Sequence, residues 1–405
     1  MGLLNKLFSK QPSKGDFAKL VKEALAKTGV TGMNYDEKGF SLKMSEKGNV
    51  IFLDNSYAKY CKADNHVRKI LLEQICSSFA ESKSEIPDEF ALACPNLMPI
   101  VRDSSYLSLV ELHCQASDLD ISNIKCPFMV LVDGLSVVLA YDTDQSIQQV
   151  NQATLDRWRV SFGEALQVAI DNLRERTNPN LVTEEAPGVY LGRWDDSYES
   201  ARILLTDLIY RLSVDGEPVV FLPNRNQFWV TGSRNAAGLK TVLKMGGETH
   251  FEPHPLSPNL YLLSDGKLNF YIPEDIPLRD EWFSLKRRRE AVDYTQQKDS
   301  LDKIFKKDKT NIFVASYKIF RLDDGTEYSA CVWSKGVDSL LPKTEKIFFV
   351  VDPKEKNYVS VQWAAAIPVV GHLMDEKSNL LPSRQRVRLF PSEGQLDELR
   401  QMTRA

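Results

Sequence analysis

Two histidines stand four residues apart in Glu248-Thr249-His250-Phe251-Glu252-Pro253-His254-Pro255. On a helix that spacing puts both imidazoles on one face, and the flanking glutamates would complete a metal-ligand set. Pro253 and Pro255 argue against a regular helix, so a proline-rich surface loop is the competing expectation. A second constellation is made of arginines set among apolar runs. Arg102 follows the run 99–101, Arg202 lies on a partly apolar stretch, and Arg225 shares the turn Pro223-Asn224-Arg225-Asn226 with Asn224. A guanidinium is a planar, permanently charged fork suited to carboxylate or phosphate. If Arg102, Arg202 and Arg225 converge, with Asn224 beside them, they form a site for an anionic ligand. The alternative is that each pairs with a nearby carboxylate such as Glu199 or Asp207. The third feature is the basic run Lys286-Arg287-Arg288-Arg289. Such a run can meet nucleic-acid phosphates or anionic lipid. No interleaved aromatic series accompanies it, so a solvated face or pairing with acids is favoured.

Other chemistry lacks residues to carry it. There is no G-x-S-x-G and no phosphate-cradling G-x-x-x-x-G-K-S/T, and Gly246-Gly247 is too short for a phosphate loop. The pairs Asp195-Asp196 and Asp323-Asp324 sit at expected turns, where carboxylates are ordinarily solvated. The six cysteines (Cys61, Cys76, Cys94, Cys114, Cys126, Cys331) include no C-x-x-C pair, which points to reduced thiols rather than a zinc site. No stretch reaches the ~18–20 apolar residues of a membrane helix. The amino-terminal Leu3, Leu4, Leu7 and Phe8 share one face of a short helix without a cleavage site, and Lys6 breaks the myristoylation pattern. A net charge of −4 speaks against nucleic acid bound over the whole surface, while leaving room for a local patch.

The elements that must position these residues follow from periodicity. Helices are expected over 16–26 and 65–82, with strands 39–44 and 50–53 between them, an α-β-β-α lobe. Strands 128–132 and 135–141 flank Asp133-Gly134, the strongest short hairpin signal. Ser161 and Glu164 form a capping box for a helix running to about 176, preceded by a helical turn over 154–158. Further on come a strand over 188–194, a helix over 198–212, strands 218–222 and 227–231, and a helix over 237–245 ended by the two glycines. A hairpin of 259–263 and 268–272 follows. Residues 286–309 hold nine Lys or Arg against five Asp or Glu, a charged connector helical in its middle. Strands 312–320, 328–332, 346–351 and 358–363 suit an antiparallel sheet, and a helix over 393–402 closes the chain.

Several of these segments together carry a resemblance. Met98-Pro99-Ile100-Val101-Arg102, the hairpin ending in Tyr141-Asp142, and Thr154-Leu155 to Trp158 occur in that order. Ala169-Ile170-Asp171-Asn172-Leu173, Ser200-Ala201-Arg202-Ile203-Leu204-Leu205 and Gly216 to Arg225 follow. Over roughly 15–272 the chain resembles the YtpQ-like bacterial proteins, the domain-of-unknown-function family 1444. The resemblance implies a bacterial cytosolic protein and no particular reaction; the last ~130 residues exceed the family's usual length.

The reading is therefore an α+β protein of three lobes with antiparallel sheets and flanking helices. They are an amino-terminal lobe over 1–90, a central lobe over 98–275, a charged helical connector over 276–310 and a carboxy-terminal antiparallel lobe over 311–405. The expected function is non-catalytic binding or adaptor work with a protein partner in the cytoplasm, and no cofactor is implied. The alternative is a small-anion or enzymatic site around Arg102, Arg202 and Arg225.

Overall fold

A computed structural model of the chain describes residues 12–37, 39–44, 50–80, 86–118, 126–143, 147–250, 252–352 and 357–402. The amino-terminal apolar face expected from Leu3 to Phe8 lies outside them. The fold is α+β, as composition and pattern require. Its organisation differs from three lobes on a string. The chain forms two compact units, one of Met1–Arg102, Ser122–Leu256 and Leu260–Phe270, the other of Asp103–Ile121, Ser257–Asn259 and Tyr271–Ala405. The first two expected lobes share one unit, and the charged connector belongs to the body of the other.

In the first unit the helix Lys14–Lys27 starts at a capping box between Ser13 and Asp16. It buries Phe17, Leu20, Val21 and Leu25 against a three-stranded antiparallel sheet, Met33–Asp36, Ser41–Met44 and Val50–Phe52. The strand Met33–Asp36 and the helix Asp54–Lys62 are additions to the expected α-β-β-α unit. Four residues without a β-branched side chain give little strand signal, and the helix is fixed by Tyr57 and Tyr60 packing on Phe17, a long-range contact. The Asp133-Gly134 hairpin forms as expected, with Gly134 at φ 86 between Phe128–Val132 and Leu135–Asp142. The helix Phe162–Arg176 keeps its capping box and buries Ala165, Leu166, Ala169 and Leu173.

A six-stranded sheet follows, in the order Lys267–Tyr271, Leu260–Ser264, Pro218–Phe221, Trp229–Gly232, Val189–Gly192, Val182–Ala186. Two expectations fail beside it. The helix over 198–212 is a 3-10 turn, Glu199–Leu204, and then a short helix, Thr206–Tyr210; Leu205 leaves helical geometry at φ −95, ψ 73. The helix Ala236–Thr249 runs through Gly246-Gly247 rather than stopping there. Gly246 answers to packing: a Cβ would meet the Phe221 ring at 2.5 Å.

The second unit is organised on the 32-residue helix Ile276–Lys307, about 48 Å long at 1.5 Å per residue. Its buried positions include Leu278, Trp282, Leu285, Arg289, Tyr294, Gln297, Leu301 and Ile304, a stripe at helical spacing. This is why the charged connector is not a linker: most of its charges occupy the remaining faces, and the buried Arg289 and Asp293 pair with each other. The helix Ser104–Ala116, absent from the sequence expectations, packs along it, with Leu112, Leu301 and Ile304 in one apolar cluster. Two four-stranded sheets complete the unit. One is ordered Phe313–Val314, Ser339–Pro342, Arg384–Val387, Met374–Lys377; the other Lys318–Arg321, Glu327–Ser334, Lys346–Asp352, Asn357–Gln362. The expected antiparallel lobe is mixed, because Glu327–Ser334 pairs parallel with Lys346–Asp352 and Phe313–Val314 parallel with Ser339–Pro342. Strand Ser339–Pro342 departs to the other sheet between the two parallel strands, which frees that pairing. The helices Trp363–Val370 and Glu393–Met402 cover the second sheet through Trp363, Ala366, Leu396 and Leu399.

Arg384 ties these parts together. It is fully buried and donates to the Gln297 side chain, to the carbonyls of Ala315 (2.8 Å) and Leu340 (3.1 Å), and to the Tyr294 carbonyl (3.1 Å). Removing the guanidinium would leave buried acceptors unsatisfied. Arg384→Ala is expected to cost on the order of 1–3 kcal/mol, read as a lower urea midpoint; an unchanged midpoint would contradict this account of the unit.

Candidate functional site

The turn after Pro218–Phe221 is built to hold Arg225. Asn224 is buried, accepts the Asn226 N–H at 2.9 Å through its side-chain oxygen, and donates to the Thr249 carbonyl at 3.0 Å. The Arg225 N–H donates to the His254 carbonyl at 3.0 Å and the Leu256 N–H to the Pro223 carbonyl at 3.1 Å, with a bridge between Asn224 and Pro255. The turn and the loop over 252–256 are thus laced together. Asn224 serves the frame of the site; nothing places its amide on a ligand.

The two histidines do different work. His250 is fully buried, and its Nδ1 lies 2.9 Å from the Pro223 carbonyl, so it pins the turn from beneath. His254 is half-buried at φ 63, a left-handed conformation that non-glycine residues seldom adopt. The helix ends at Thr249, so the i, i+4 spacing never becomes a shared helix face. Among the described residues no three His, Cys, Asp or Glu side chains gather as a metal site, and the metal reading of His250 and His254 is withdrawn on that geometry.

His254 is instead the meeting point of positive charge. Burial, and then the charges of Arg225, Arg102 and Lys59, push its imidazole down from 6.5 to about 3. These groups come from three separate stretches: the turn over 223–226, the strand Leu97–Asp103 and the helix Asp54–Lys62. Arg102 also faces Cys126, whose thiol burial pushes up to about 11 against the pull of that guanidinium. Arg225 reaches Tyr198, a fully buried residue whose phenol is raised by burial and by Asp142. Asp142 is held by Arg176 at 2.7 Å, and Arg176 lies 5.6 Å from the centre of the Tyr198 ring. The Ser200 N–H donates to the Arg225 carbonyl at 3.1 Å, which brings the 198–200 segment alongside. There Ser200 Oγ and Glu199 Oε2 are buried without a hydrogen-bond partner among the described residues. Burial raises the Glu199 carboxyl, favouring its neutral form.

Arg202 does not join Arg102 and Arg225. It is fully buried, forks onto Asp196 at 3.0 and 2.7 Å, donates to Thr177 Oγ1 at 3.0 Å and lies 4.0 Å from the Trp194 ring centre. Although burial works to raise it, the Asp196 carboxyl is held below its ordinary value by Arg202. Every arm of Arg202 is engaged, so its role is to pin the 3-10 turn. The basic run is engaged in the same way. Arg287 forks onto Glu345 at 2.7 and 2.9 Å, Arg289 lies 3.0 Å from Asp293, and Lys286 is 3.8 Å from Glu290. Arg288 is exposed and bonds the Ser284 carbonyl at 3.3 Å. Four consecutive helical residues point in four directions, so Lys286, Arg287, Arg288 and Arg289 form no common basic patch.

Sequence reasoning named Arg102 and Arg225, and Glu199 only as a pairing partner; it did not single out Lys59, Tyr198 or Ser200, and it set a metal reading of His254 beside a proline-rich loop. The signal for the loop was the place of His254 between two prolines, which marks a constrained backbone.

The depressed imidazole has a thermodynamic signature. Above pH 6.5 it is neutral in both folded and unfolded chains. As pH falls from 6.5 towards 3 the unfolded chain takes a proton that the folded one resists, so stability falls, by at most about 1.4 kcal/mol per pH unit. His254→Asn keeps a residue that tolerates the left-handed backbone and should show a shallower loss of urea midpoint between pH 6.5 and 4; parallel profiles would contradict the assignment. Comparison with protein-family models, with curated proteins and with solved structures finds no match to this chain.

Proposed function

We propose that the first unit binds a small anion, a phosphate or carboxylate group, at Arg102, Arg225 and His254. The observation that carries this is the gathering of Arg225, Arg102 and Lys59 around one strained, half-buried histidine. An anion settling beside these cationic groups would meet favourable charge. The neutral imidazole and the buried hydroxyl of Ser200, whose backbone bonds that of Arg225, are uncharged hydrogen-bonding groups in the same region. The reading is one of binding. Kinship with the YtpQ-like proteins belongs to the same proposal, since the residues that carry it include Arg102 and Arg225.

A second reading, the adaptor role, has its own support. Phe128, Met129 and Val130 are 45%, 43% and 59% exposed on Phe128–Val132, an edge strand. Exposed apolar edges are templates for pairing with another chain.

Thermal unfolding in inorganic phosphate or citrate, against chloride at equal ionic strength, tests the anion site. Ligand at a hundred times its Kd stabilises by about 2.7 kcal/mol, a readily measured rise in Tm. Arg225→Ala and Arg102→Ala should each abolish most of the rise, and Arg211→Ala, an exposed control, should keep it. A wild-type protein unmoved by these anions, or variants that respond as fully as wild type, would overturn the proposal.

A further inference from the structure

The outer face of the second unit's mixed sheet carries an aromatic row where water-facing strands ordinarily carry polar side chains. Alternation fixes the two faces. Cys331, Trp333, Ile347, Phe349, Val359 and Val361 point into the core. Phe320, Tyr328, Phe348 and Tyr358 point the other way, one from each of the four strands. Phe320 stacks on Tyr328 with centroids 5.5 Å apart, Phe320 and Phe348 are 6.0 Å apart, and Phe348 and Tyr358 are 5.7 Å apart. The row is open to solvent: Tyr358 is 56% exposed, Phe320 40% and the adjoining Val332 42%. Lys318 and Lys346 both lie opposite Ala330 on this face, and the Lys346 ammonium sits 4.2 Å from the Tyr328 ring centre.

We propose that this face is a platform for single-stranded nucleic acid. The choice of occupant rests on charge and shape. Rings that cross the strands in a continuous row offer stacking surfaces to unpaired bases, which any sequence can supply, and ammonium groups among them meet the phosphates. A double helix hides its base faces, so it gains nothing from exposed rings. A second copy of the same sheet, docked face to face, would bring lysines against a lysine-bearing surface. Glu327 stands opposite Arg321, one residue out of step with the Phe320–Tyr328 pair and so on the other face; Asp352 lies beyond a register break at its strand's end. The charges within the row itself are therefore Lys318 and Lys346. The chain's overall −4 is no obstacle to a patch this local. The proposal does not draw on the anion site or on the run 286–289, in which Lys286, Arg287 and Arg289 lie against carboxylates.

The test is fluorescence anisotropy of labelled oligothymidylate and oligouridylate with the full chain at low and moderate salt. Wild type should bind, on the order of micromolar, and more weakly as salt rises. Tyr358→Ala and Phe320→Ala should each weaken binding about fivefold or more, while Tyr358→Trp should preserve it. Lys346→Glu should weaken binding and flatten its salt dependence. Circular dichroism melts identify any variant that fails to fold, and the exposed Lys318→Glu then stands in for it. Absence of binding at low salt, or equal binding by all folded variants, would overturn the proposal. So would self-association in sedimentation that Tyr358→Ala abolishes, since the face would then be covered by a second copy.

Discussion

The backbone lacing between the turn over 223–226 and the loop over 252–256 is the constraint on which the candidate site depends. Proline removes donors at 223, 253 and 255, so the pairing rests on the N–H groups of Arg225 and Leu256 and on the side chain of Asn224. His250 closes it from the buried side through the Pro223 carbonyl. These bonds hold His254 in a left-handed conformation that costs on the order of 1–3 kcal/mol, and they hold it beside Arg225. Such strain persists only where the surroundings over-determine it, and the proposed anion site rests on that arrangement.

Placement separates the charged residues into two kinds. Arg202, Arg287 and Arg289 each have a carboxylate within salt-bridge distance, and Arg384 has a shell of carbonyls. Arg202, Arg287 and Arg384 hold one element to another, while the Arg289–Asp293 pair lies within one helix. Arg225, Arg102 and Lys59 act jointly on a histidine, each disfavouring its protonation. The same residue types thus make structure in one place and a field in another, and only three-dimensional placement distinguishes them.

That limit explains how much was legible beforehand. The Asp133-Gly134 hairpin, the Ser161–Glu164 box and the closing helix were readable because their signals are local. The helix Ser104–Ala116 was missed because its partner stripe lies some 170 residues further on, and Gly246-Gly247 misled because packing on Phe221, not helix termination, sets the residue. Arg102 and Arg225 stood out as charges in apolar surroundings, and so did Arg202, whose complete engagement with Asp196 and Thr177 no spacing rule reveals. That Ser200 and Glu199 are buried with polar atoms lacking a hydrogen-bond partner among the described residues carried no sequence signal, since it is a property of the fold. The spacing of His250 and His254 suggested metal, while Pro253 and Pro255 already pointed to the loop that the chain makes there.

The imidazole at the centre of the cluster reports on its occupancy. The most direct measurement is the His254 pKa by NMR, in the full chain, without and with saturating inorganic phosphate. The account predicts a value well below the ordinary histidine range in the free protein, rising when a counter-charge settles among Arg102, Arg225 and Lys59. A pKa that phosphate leaves unmoved would contradict it.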